Sequence, residues 1–199
     1  MKKSNVIISG SILLVAGTFL AWNMRKTIPR KAVAINPFEV DKFLGKWYEV
    51  ARLDYKFDRN IINTSIDFSL KPNGNIKVVK RWYNFYSKRK EIKIGIAKFV
   101  GPMYEAMMKI SFRKPIYTGY NVIGIDPDYN YALVAGEDMR HLWLLSREHN
   151  MPEEIKKAFI HKAGMIGYDT SKLVWVDQNL PFINQTTIIE YTQIDQDLV

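Results

Sequence analysis

Gly45-Lys46-Trp47-Tyr48-Glu49-Val50-Ala51-Arg52 decides the fold when it is read beside a later block, Leu142-Trp143-Leu144-Leu145-Ser146-Arg147. A glycine two residues before a tryptophan lets the chain turn in tightly as a first strand begins. An arginine at the end of a last strand can then lay its guanidinium on the indole face, a cation–π contact. Trp47 and Arg147 together predict a sheet closed on itself, plugged at one end and open at the other. Gly45, Trp47 and Arg147 are therefore read as a structural signature, whose loss unfolds the barrel before it alters selectivity.

Between those blocks the apolar period is two, not 3.6. Strands are expected at 46–54, 63–71, 76–83, 91–100, 104–112, 120–125, 131–135 and 141–147. Lys71-Pro72-Asn73-Gly74-Asn75 and Asp126-Pro127-Asp128-Tyr129-Asn130 are turns. Asn84–Lys90 reads as a charged loop. Eight short strands at regular spacing indicate an all-β, antiparallel, up-and-down barrel. One helical pattern follows, Met151 to Gly164, with Pro152 and acids at its start and a glycine at its end. Ile155, Ala158, Phe159 and Lys162 give it a face to lay on the outside of the barrel. Leu173-Val174-Trp175-Val176 is one more short strand.

The ends of the chain read differently. Ser4 to Met24 is uncharged and mostly apolar, and Lys2, Lys3, Arg25, Lys26, Arg30 and Lys31 flank it. Its length suits a bilayer crossing; a cleaved secretory signal is the alternative. The expected organisation is a membrane anchor or signal segment over 1–24, a basic linker over 25–38, the barrel domain over 39–179 and a loosely attached tail over 180–199. The formal charge is +9, but without those six basic residues only about +3 remains. A nucleic-acid partner loses its support, and anionic lipid headgroups become the natural partner of the basic ends. The chain has no cysteine, so a disulfide framework, a thiol nucleophile, thiolate metal ligation and cysteine lipidation are all excluded.

These blocks resemble a lipocalin, and more narrowly the bacterial lipocalin and apolipoprotein D branch. The first two blocks, together with Gly119-Tyr120-Asn121-Val122-Ile123-Gly124-Ile125-Asp126, Asp128-Tyr129-Asn130-Tyr131-Ala132-Leu133-Val134 and Gly167 to Gln178, stand in the family's order over about residues 36–179. The resemblance implies an eight-stranded barrel that holds a small hydrophobic ligand, and attachment to a membrane of the bacterial envelope with the barrel on the periplasmic or extracytoplasmic side. Bacterial members are often lipoproteins with a cysteine after the signal; here attachment would pass to a protein helix. The family's barrel cysteines are also missing, and Ala135 stands at one such position.

The alternation then assigns an interior. Trp47, Glu49, Ala51 and Leu53 are expected inward on the first strand, and Ile66 and Phe68 on the second. Gly95, Ala97 and Phe99 follow on the fourth, Met108, Ile110 and Phe112 on the fifth, Tyr120 and Val122 on the sixth, and Tyr131 or its neighbour on the seventh. Leu145, Trp143 and His141 share the face of Arg147. Ligand contact is expected from Trp143, Phe68, Ile66, Phe99, Met108, Ile110, Tyr120 and Tyr131, an aliphatic and aromatic set that suits an acyl chain. The ligand's polar end is placed at the rim, near Lys56, Arg59, Lys88, Arg89, Lys90, Arg113 and Lys114.

No Gly-x-Ser-x-Gly, His-Glu-x-x-His or phosphate loop occurs, and the carboxylates are unpaired. No enzyme, no cofactor and no metal site is expected. The expected function is membrane-associated binding of a fatty acid or lysophospholipid. The alternative is a tethered structural or interaction barrel filled by its own side chains, with Ile94 and Ile96 facing a protein partner. Monomer and homodimer both remain open.

Overall fold

A computed structural model describes residues 27–53 and 60–178. Among these, no helix is long and apolar enough to cross a membrane. The expected anchor over 1–24, with the tail from residue 179 on, lies outside the described residues, as do Lys56 and Arg59.

One helical turn, α1 (Val40–Phe43), precedes eight strands: β1 (Gly45–Leu53), β2 (Ile61–Leu70), β3 (Ile76–Asn84), β4 (Arg89–Phe99), β5 (Met107–Arg113), β6 (Ile116–Ile125), β7 (Tyr131–Ala135) and β8 (Leu142–Ser146). Each pairs antiparallel with the next, and β1 pairs with both β8 and β2, so the sheet closes. The charged loop expected at 84–90 is shorter than the sequence suggests, because Asn84 and Arg89 already face each other across the β3–β4 ladder. Alternation then sorts side chains into two cores. An inner core contains Trp47, Ile66, Phe68, Val78, Ala97, Met108, Ile110, Tyr120, Val122 and Leu145, with Phe99, Phe112 and Trp143 packed against it.

The outer core lies beneath α2 (Glu153–Ile166) and gathers Val50, Ala51, Leu53, Ile123, Leu133, Leu144 and Phe159. The helix buries Phe159 and Ala163, with Ile155 and Ile166 alongside, while Ala158 and Lys162 face solvent. The expected face was thus rotated by part of a turn: at 3.6 residues per turn, 155, 159, 163 and 166 make the continuous stripe. The helix also runs past Gly164. It ends at Gly167, whose φ of 112° lets its amide reach the Ala163 and Gly164 carbonyls.

The segment expected as a basic linker is partly bound to the barrel. Ile35 donates to the Val122 carbonyl (2.9 Å) and accepts from Ala106 (2.9 Å), Phe38 donates to Tyr104 (2.8 Å), and Ala32 and Ala34 are buried. Further up, Asn121 bonds the Thr27 carbonyl, and Gly119 has no room for a Cβ because that carbonyl lies against it. The chain therefore descends the outer wall from the open end at residue 27 to the closed end at Phe38.

The β1–β2 seam is only half a ladder. Pairing runs from Gly45↔Phe68 to Tyr48↔Ser65 and stops. Above it, β9 (Leu173–Trp175) takes β2's place beside β1. Val176 then donates to Val50 (2.9 Å), Asn63 donates to Asp177 (2.9 Å), and the Gln178 amide spans the gap to the Glu49 (2.8 Å) and Thr64 (3.2 Å) carbonyls.

Candidate functional site

The closed end is built around Trp47. Its indole N–H donates to the Phe43 carbonyl at 2.8 Å, tying the plug to α1. The Arg147 guanidinium lies 3.8 Å from the ring centroid. Its N–H groups reach four carbonyls: Lys42 (2.6 Å), Leu44 (2.9 Å), Lys46 (2.7 Å) and Tyr129 (3.2 Å). Burial pulls the Arg147 pKa below its ordinary value, with Asp126 acting against it. The guanidinium nonetheless stays a cation, as arginine does throughout proteins. Gly45 is held at φ 92°, and a Cβ there would sit 3.5 Å from the guanidinium. Gly45→Ala is expected to cost about 1–2 kcal/mol, chiefly from the backbone conformation, and urea unfolding would measure it.

From the plug a column of rings climbs the interior. Phe43 meets Phe68 at 5.1 Å, Phe68 meets Tyr120 at 5.7 Å, Tyr120 meets Trp143 at 5.6 Å, and Trp143 meets His141 at 6.0 Å. His141 in turn contacts Asp138 at 2.9 Å in the β7–β8 loop. The column thus runs from base to rim, with Ile66, Met108 and Ile110 in the same core.

Seven of the eight expected ligand-contact residues therefore lie in or against the inner core: Phe68, Ile66, Phe99, Met108, Ile110, Tyr120 and Trp143. Tyr131 does not. It sits opposite Ser146 and packs with the outer core, so its neighbour Ala132, opposite Leu145, faces in.

A polar cluster stands among the apolar walls. The β1–β8 register shifts between Glu49 and Ala51: Glu49 faces Leu145, Ala51 faces Leu144 and Arg52 faces Trp143. This bulge reverses the alternation. Ala51 and Leu53, expected inward, pack outside under α2, and Arg52 turns in. Arg52 Nη1 donates to Glu49 Oε1 at 2.7 Å, its Nη2 donates to the Ile61 carbonyl at 2.8 Å, and both side chains of the ion pair are almost fully buried. Lys80, which shares a face with Ile66, brings its ammonium to 3.7 Å from Glu49 Oε2. Two cations thus face one carboxylate. Burial, with the Glu49 charge adding to it, holds the Tyr120 phenol far above its ordinary pKa, so it remains a neutral donor.

The sequence reading missed both cations: the period-two place of Lys80 after Ile76 and Val78 is a signal that could have found it, whereas nothing in 45–53 marks the bulge that turns Arg52 in. Among the described residues no cluster of three or more metal-ligating side chains occurs. His149 packs against Tyr48 and His161 is exposed on α2. Of the outward pair on β4, Ile94 is exposed and Ile96 is buried.

Comparison with known proteins places this geometry. A family model described as a Lipocalin-like domain matches residues 38–178. The chain is 38% identical over 152 residues to a protein named outer membrane lipoprotein Blc from Escherichia coli K12, covering 76% of this chain and 86% of that one. It is 35% identical to the protein of the same name from Vibrio cholerae, covering 76% and 89%, and 32% identical to rabbit apolipoprotein D, covering 59% and 65%. Among solved structures, insecticyanin from Manduca sexta is similar with a TM-score of 0.60 at 17% identity, over 73% of this chain and 84% of that one. The cockroach allergen Per a 4 follows at 0.59 and 21%, over 73% and 91%.

Proposed function

The chain belongs to the lipocalin family, and from that premise we propose that it binds a single-chain anionic amphiphile, a fatty acid or a lysophospholipid, inside the barrel and carries it at a membrane of the bacterial envelope. The reading is of a binding protein and not an enzyme. The observation that carries it is an apolar, aromatic interior containing two cations against one carboxylate.

An acyl chain fits the first part of that description, since each buried methylene contributes about 0.8 kcal/mol before ordering costs. An anionic head fits the second. Charge-assisted bonds from Lys80, and a phenol donor from Tyr120, would give that head a partner below the rim. The rim cations expected for this task then act on the head only as it enters. Membrane location rests on the relatives named outer membrane lipoproteins and on the apolar 4–24 segment, which would serve as anchor in a chain without cysteine.

The test is titration of the full chain with a fluorescent fatty acid while tryptophan emission is followed. Saturable quenching, reduced in Trp143→Phe, is the expected result. A folded barrel that shows no saturation would favour the scaffold reading instead. Lys80→Met should weaken binding of a fatty acid about tenfold, on the order of 1.4 kcal/mol. The corresponding fatty alcohol should bind as before. Equal losses for acid and alcohol would remove the ion-pairing role.

A further inference from the structure

At the open end the β3–β4 hairpin parts from β5. β3 and β4 pair from Ile76↔Ala97 up to Asn84↔Arg89, yet β4 pairs with β5 only from Ile96 onward. Because β2 pairs with β3 up to Ile61↔Asn84, the upper part is a three-stranded flap at the open end whose β4 edge lacks β5, and its tip reads Phe85-Tyr86-Ser87-Lys88.

That tip is built to show its rings. Phe85 is 64% exposed and Tyr86 87%. The turn beneath them is held by Asn84, whose Oδ1 accepts from the Tyr86 (3.0 Å) and Ser87 (3.1 Å) amides. Asn84 Nδ2 and Ser87 Oγ both donate to Glu91 at 3.1 Å, which occupies the nearest acid. The Phe85 amide is fixed to the Asn60 carbonyl at 2.8 Å. Two aromatic rings on a fixed turn cannot be explained as a loose loop, and among the described residues nothing covers them. Lys88, Arg89 and Lys90 follow directly and are exposed. The next turn around the rim repeats the combination: Arg113 and Lys114 are exposed beside Ile116, which is 66% exposed.

Exposed rings ringed by cations match the interface of a bilayer that carries anionic headgroups. Aromatic side chains settle at headgroup level, and each cation near such a surface adds roughly fivefold to partitioning. Residues 1–26 join at this same end, since the Thr27 carbonyl lies against Gly119, which also adjoins Glu137 of the β7–β8 loop. The facing charges on that loop are partly spent: Asp138 is held by Arg140 and by His141.

The geometry points to a docking surface: the tip of the β3–β4 hairpin, with the β5–β6 turn beside it, seats the open mouth of the barrel on an anionic lipid bilayer. This rests on the reading of the protein as a membrane-located carrier and adds its orientation. Cargo then passes between membrane and interior without crossing bulk water.

The chain has no cysteine, so a single one can be labelled alone. Tyr86→Cys at the mouth and Asn73→Cys in the exposed β2–β3 turn at the closed end would each carry an environment-sensitive fluorophore. The full chain is reconstituted into vesicles of phosphatidylcholine alone or with phosphatidylglycerol. The expected result is a blue shift and a several-fold gain in emission at position 86 with phosphatidylglycerol. It should be reversed by high salt and by Lys88→Glu with Arg89→Glu, with no change at position 73. Four results would overturn the proposal: both labels aqueous on anionic vesicles, the shift at position 73 instead, a shift independent of anionic lipid, or one that depends on protein concentration without lipid, as a second copy would give. Fatty-acid binding by the same labelled chains is read separately, so failure of docking and failure of the carrier reading are told apart.

Discussion

Arg147→Leu is expected to destabilise the barrel by about 3 kcal/mol in urea unfolding. The guanidinium holds four carbonyls and caps the Trp47 face. Hydrogen bonds from a charged donor contribute about 1.5–3 kcal/mol each when buried, and the cation–π contact about 0.5–2 kcal/mol. The group is half-buried, so those figures do not add in full. Arg147→Lys should restore less than half the loss, because one ammonium cannot reach carbonyls from Lys42, Leu44, Lys46 and Tyr129 while also stacking. A loss below about 1 kcal/mol in Arg147→Leu would show that the plug holds without its lock.

Glu49→Gln is expected to be as damaging or more so, at about 3–5 kcal/mol, for a different reason. It leaves Arg52 charged and almost fully buried, with Lys80 close by and no anion between them. Removing one partner of a buried pair costs far more than the pair contributes. The double variant Glu49→Gln with Arg52→Met should therefore be less destabilised than the two single losses added together. Additive losses would mean that the two side chains are not coupled in solution. Bound anionic ligand should also protect Glu49→Gln more than it protects the unaltered chain, since it supplies the missing counter-charge.

Much of the fold was legible because its rules are local. Period two in 63–70 and 76–83, the Asn73-Gly74 turn, and the Trp47 and Arg147 pairing are readable from residue types alone. What failed was register. A bulge after Glu49 inserts one residue without any glycine or proline to announce it, and every later position on β1 changes face. Ala51 and Leu53 moved outward and Arg52 moved in for that single reason. Tyr131 was misplaced by the same ambiguity, since a five-residue strand with apolar residues on both faces has no clear alternation. Apolar packing under α2 makes the outer face of β7 and β8 as greasy as the inner one. The strap over 27–38 was read as a linker because main-chain bonds such as Ile35 to Val122 leave no trace in side-chain pattern.

The stitching by Val176, Asp177 and Gln178 gives this vessel an expansion joint. Most of its girth is held by paired strands, but above the Tyr48↔Ser65 pair the β1 and β2 sides are joined by a short run of chain and a single carboxamide. Widening there breaks a handful of bonds and leaves every other strand in register, so a bulkier cargo would be accommodated along that line, and any tension on the carboxyl-terminal end would be felt there.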